Sequence, residues 1–150
     1  MNPTATVPPD MPALRQLIRC TQAFERFSGA HVKSMGLTES QFDVIATLGN
    51  TDGMTCKALG ERTLITKGTL TGVLDRMEAR NLISRRSDAH DARRTHIELT
   101  RKGAALFNEV FPAHIKHLQR AFGRLTETEL ARLCEGLATL QGAFDLEIAR

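Results

Sequence analysis

Residues 67–100 constrain the fold most. Leu70, Val73, Leu74 and Met77 fall at i, i+3, i+4 and i+7, one apolar face of a helix from about Lys67 to Arg80. Asn81 can end that helix. Two short runs follow at once, Leu82-Ile83-Ser84-Arg85-Arg86 and Thr95-His96-Ile97-Glu98-Leu99-Thr100, and both read as strands. The loop between them, Ser87 to Arg94, is polar and holds two acids and two arginines. It makes a hairpin with a long basic tip.

The flanking segments are helical. From Ala13 to Met35, apolar residues recur at Leu14, Leu17, Ile18, Phe24, Phe27, Val32 and Met35, and Gly36 supplies a stop. Thr38-Glu39-Ser40-Gln41 fits a capping box that opens a short helix bearing Phe42, Ile45, Ala46 and Leu48. Asn50 to Gly53 is a loop, and Thr55 starts a third helix with Ala58 and Leu59 inward. After the hairpin, a helix from Arg101 to about Phe122 turns Leu106, Val110, Ile115 and Leu118 inward. Pro112 should kink or divide it, because proline lacks the ladder donor. Thr126 to Glu129 is a second capping box. Leu130, Leu133, Leu137, Leu140 and Phe144 then form a seam suited to packing on another helix.

Charge is informative once it is divided. Residues 55–102 hold eleven Lys/Arg against six acids, a balance of +5, while the rest of the chain carries −2. A basic middle suggests a polyanion surface. The absence of Trp and Tyr argues against single-stranded binding by base stacking. At 150 residues and 41% hydrophobic, one domain with a real core is expected. No apolar run approaches the roughly 18–20 residues of a membrane span. Met1 to Asp10 carries no Lys or Arg, so no secretory signal is expected. Four of the five prolines lie in the first twelve residues, and 1–12 reads as a flexible arm. Three cysteines without CxxC spacing fit a reducing, cytoplasmic setting.

Helix, turn, helix and basic hairpin describe a winged helix-turn-helix within a mostly α (α+β) chain. On duplex DNA, the helix at 67–80 would present Lys67, Gly68, Thr71 and Gly72 to a major groove, with its amides near a phosphate. Threonine methyls and hydroxyls suit thymine methyls and base edges. Arg93 or Arg94 at the hairpin tip would enter a minor groove, and Asp91 could orient Arg93. Arg76 reads either as a structural ion-pair residue or as a DNA contact. Arg85 and Arg86 read as phosphate contacts.

Four stretches carry a family resemblance: Thr38–Leu48, Gly68–Glu78, Leu82–Arg86 and Asp91–Gly103. Together they resemble the MarR family of bacterial transcriptional regulators. The wing signature, D-x-R, five residues, then L-T, is met by Asp91, Arg93, Leu99 and Thr100. The resemblance implies a homodimer whose dimerisation region comprises residues 13–37 and 101–150, with 38–100 as the DNA-binding region. It implies repression at a palindromic duplex, relieved by small ligands or by oxidation. Its recognition helix is Lys67–Arg80 and its wing arginine Arg93. Many members have arginine where this chain has Gly72, so Lys67, Thr69 and Thr71 would carry more of the readout. The family's ligand cleft makes Arg26, His31 and His114 candidates for an aromatic or phenolic acid.

Cys20 lies where some members sense peroxide, but those sensors use tyrosines, which are absent here. Cys56 and Cys134 read as small packing residues. His114 and His117, with Glu109 or His31, have only weak metal spacing, and no metal or cofactor is expected. A helical interaction module that does not bind DNA would have no need of Asp91, Arg93 or the basic middle. No GxGxxG, P-loop, HExxH or nucleophile motif is present, so an enzyme is not expected.

Overall fold

The computed structural model describes residues 8, 10–63, 65–87 and 94–150. Six helices and a small antiparallel sheet make up these residues. α1 spans Met11–Ser34, so the last two residues read as arm are already helical. Pro12 sits in its first turn, where a missing N–H costs nothing. The chain turns out of α1 just past its cap, Met35, at Gly36, whose φ of 75° is in the left-handed region that glycine enters without strain.

α2, Glu39–Leu48, opens on the expected capping box. The Gln41 amide donates to Thr38 Oγ1 at 3.2 Å, and the Thr38 amide donates to Gln41 Oε1 at 3.1 Å. β1 is only Met54–Thr55. Thr55 ends that strand and also caps α3, Cys56–Arg62, by accepting from the Ala58 amide at 3.2 Å. α4 is Lys67–Ala79, and Asn81 turns the chain out of it with a φ of 56°.

β2, Ile83–Ser87, and β3, Thr95–Leu99, form the hairpin. β3 is central: it pairs antiparallel with β2 (Arg85 opposite Ile97) and with β1 (Met54 opposite Ile97). α5 is Arg101–Phe122 and α6 Glu127–Ile148. Of the two outcomes expected at Pro112, division does not occur: α5 continues through it and gives up one ladder bond.

The chain forms two compact units, Met1–His114 and Ile115–Arg150. The core of the first unit joins Val32 of α1, Val44, Ile45 and Leu48 of α2 and Leu59 of α3. The whole expected face of α4 (Leu70, Val73, Leu74, Met77) is buried there with Leu82, Ile83, Ile97, Phe107 and Val110. Gly49 lets the Phe107 ring lie against the end of α2, where any Cβ would collide with it. Phe107 and His114 point inward, while Ile115, expected inward, is exposed.

In the second unit, Thr126 caps α6 by accepting from the Glu129 amide, and Glu129 bonds back to the Thr126 amide. The Thr126 amide foremost, and then the Thr126 hydroxyl donating to Glu129 Oε2 at 2.9 Å, hold the Glu129 carboxyl below the usual glutamate range. Leu133, Leu137, Leu140 and Phe144 of α6 are 37–51% exposed. Leu14, Ile18 and Phe24 of α1 are exposed to a similar degree. Among the described residues, no helix is long and apolar enough to cross a membrane.

Candidate nucleic-acid interface

Burial of one face of α4 decides what the other presents. Gly68, Thr69, Thr71 and Arg76 are exposed, and Gly72 is half-exposed. Lys67 opens the helix. Thr66 Oγ1 donates to Thr69 Oγ1 at 3.0 Å, which holds Thr69 against the first turn.

The basic residues near α4 divide into two groups. Arg85 of β2 reaches back to α4, with Nη2 2.7 Å from Asp75 Oδ1 and Nη1 3.4 Å from Glu78 Oε2. Arg86 pairs across the hairpin with Glu98, which also accepts from Ser84 Oγ. Lys102 Nζ donates to the Arg80 carbonyl at 2.9 Å, a cation on the orphan carbonyls at the end of α4. Arg85 and Lys102 thus tie the hairpin and α5 to α4, while Arg86 braces the hairpin itself. Arg76 differs: among the described residues, its guanidinium forms no ion pair or hydrogen bond.

Arg94 precedes β3 and lines a cavity of about 430 Å³ with Thr55, Cys56, Lys57 and Thr95. Asp91 and Arg93 lie outside the described residues. Sequence reasoning missed Asp75 and Glu78 as anchors. Two acids three positions apart on a helix, in a basic segment just before an arginine-bearing strand, were the available signal.

The proposed ligand residues separate. His31 and His114 stack with centroids 5.2 Å apart and Nδ1 atoms at 3.0 Å. Ser28 Oγ lies 3.2 Å from His114 Nε2, and the edge of Phe42 packs on His114. Arg26 instead lines a groove of about 440 Å³ between α1 and the start of α2, with Lys33, Glu39 and Ser40, and neither histidine belongs to that lining. Cys20 and Cys134 are exposed in the single chain, and Cys56 is half-buried. Among the described residues, no group of three His, Cys, Asp or Glu could hold a metal ion.

A helix that buries one face, shows small and cationic residues on the other and is braced by a basic hairpin defines a winged helix-turn-helix protein. The comparisons identify which kind. The sequence model of the MarR family matches residues 35–94. The transcriptional regulator HosA of Escherichia coli O157:H7 is 34% identical over 93 residues, 62% of this chain and 69% of that protein. The homoprotocatechuate degradative operon repressor of Escherichia coli is 34% identical over 92 residues, 61% of this chain and 62% of that one. The structure of BpsR from Bordetella bronchiseptica, whose DNA binding is regulated by 6-hydroxynicotinic acid, superimposes with a TM-score of 0.80 at 25% identity, covering 91% and 98% of the two chains. The chain belongs to the MarR family.

Proposed function

We infer that this chain is a homodimeric repressor that binds a palindromic duplex and releases it when an aromatic or phenolic acid binds. One observation carries the DNA-binding part. The exposed face of α4 is Gly68, Thr69, Thr71, Gly72 and Arg76, thin enough to enter a major groove and supplied with donors. The hairpin packs beside it, and on the sequence reading the arginines between its strands, Arg93 and Arg94, take an adjacent minor groove.

The dimer reading rests on two amphipathic helices. The apolar residues of α1 and α6 are exposed in the single chain, and a second copy would cover them. On this reading residues 13–37 and 101–150 form the dimerisation region and 38–100 the DNA-binding region. The ligand reading rests on the relatives. One is named for homoprotocatechuate degradation, and another answers to 6-hydroxynicotinic acid, a hydroxylated aromatic acid. Of the candidate residues, Arg26, with Lys33 in the same groove, suits the carboxylate of such a molecule, and His31 and His114 lie outside that lining.

Selection of bound duplexes from a random pool tests all three parts. Enriched sites should be palindromes with half-sites about 34 Å apart, one turn of duplex. Hydroxylated aromatic acids should release them, and Arg93→Ala should weaken binding at fixed salt. Asymmetric sites would end the dimer reading, and unchanged affinity of the variant would remove Arg93 from the interface.

A further inference from the structure

We propose that Arg76 is the base-reading arginine of this protein, and that Gly72 is the residue that lets it read. The assignment rests on the DNA-binding reading above. It adds which side chain selects sequence and what feature of the duplex it selects.

Side chains on a helix lean toward its N-terminus, so residue 76 lies over the turn occupied by residue 72. The structure shows this: Arg76 Nη1 stands 3.6 Å from the point where a Cβ on Gly72 would lie. The guanidinium therefore rests over the glycine, toward the end of α4 that enters the groove. Nothing diverts it. Arg85 is held by Asp75 and Glu78 and Arg86 by Glu98, whereas Arg76 has no bonded partner among the described residues.

The two glycines have no structural need within the chain. A Cβ on Gly68 would meet nothing within 4 Å, and one on Gly72 only the end of the flexible Arg76 side chain. Both have helical backbone, where alanine is the more favourable residue. Their smallness serves a contact that the isolated chain does not contain. With no side chain at 72, the helix backbone can approach the base edges and bring the Arg76 guanidinium above it within reach of them. A guanidinium fork matches guanine O6 and N7 in the major groove. The duplex feature selected is thus a guanine at a fixed position in each half-site.

The test titrates the full-length chain against the best duplex from the random-pool selection, and against the same duplex with that guanine replaced in both half-sites. The wild-type chain should lose about 5- to 150-fold in affinity per replaced contact. Arg76→Ala and Arg76→Lys should bind the two duplexes alike, because lysine keeps the charge but not the fork. Gly72→Ala should also lose the discrimination, while its melting temperature, followed by circular dichroism, stays the same or rises. A uniform loss in Arg76→Ala with the guanine preference intact would make Arg76 a phosphate contact and overturn the proposal. Undiminished discrimination in Gly72→Ala would overturn the role of the glycine. If the wild-type chain enriches no sequence, the DNA-binding reading itself fails and this assignment with it.

Discussion

Replacing Gly103 with alanine probes the joint between the hairpin and α5. The Cβ would fall well inside the van der Waals surface of the Leu82 carbonyl oxygen, 3.0 Å from Leu82 C and 3.3 Å from Leu99 Cδ2. The carbonyl has little freedom to retreat. It accepts from the Thr100 amide at 3.1 Å, and Thr100 Oγ1 donates to the Asn81 carbonyl at 2.6 Å while accepting from the Gly103 amide at 3.0 Å. Relief therefore costs at least one hydrogen bond, about 1 kcal/mol, and an overpacking strain of about 1–3 kcal/mol. The helix preference for alanine returns about 1 kcal/mol. The net loss is roughly 1–3 kcal/mol, read from urea denaturation followed by circular dichroism. Gly136→Ala is the control: a Cβ there meets nothing within 4 Å, so that variant should gain up to about 1 kcal/mol. A Gly103→Ala variant as stable as the wild type would refute the close approach of α5 to Leu82.

Two further outcomes are expected. A double-mutant cycle of Arg85→Ala with Asp75→Ala should give a coupling of about 0.5–1 kcal/mol, kept small because the two side chains are 27% and 58% exposed; zero coupling would show that the pair does not tie the wing to α4. The Glu129 carboxyl, held low by Thr126, stabilises the start of α6 at and above the usual glutamate range and loses that contribution as the pH falls through its lowered value; carboxyl NMR should show a depressed midpoint that Thr126→Ala raises only part of the way, because the backbone bond stays, and an unmoved midpoint would remove the hydroxyl bond as a contributor.

Local chemistry was legible in the sequence, and contacts across the chain were not. Both capping boxes stand as read because each needs only four consecutive residues. The apolar face of α4 and the two hairpin strands are equally local. β1 is absent from the sequence reading, which opens the third helix at Thr55, because Met54 and Thr55 are a strand only through their pairing with Ile97 and His96. The division of the arginines was hidden for the same reason, since the partners of Arg85 lie on another element. Arg26 and His31 were grouped as ligand residues, but five positions on a helix of 3.6 residues per turn carry them to different faces. The outward face of α4 was legible as an exposed surface of small and donor-bearing residues. The lean of Arg76 over Gly72 was not, because it depends on the rotamer that an unpaired arginine adopts.

The two-residue strand at Met54–Thr55 has a mechanical meaning. β3 holds β2 on one side and β1 on the other, and Thr55, the last residue of β1, is also the cap of α3. Arg85 bolts the far strand to α4. The hairpin cannot swing without breaking a ladder, a cap or an ion pair. In the proposed complex the helix and the wing strands act as a caliper with a fixed gap. A duplex whose groove spacing does not match that gap must itself bend or untwist, so the stiffness of base steps that no side chain touches becomes part of what this protein recognises.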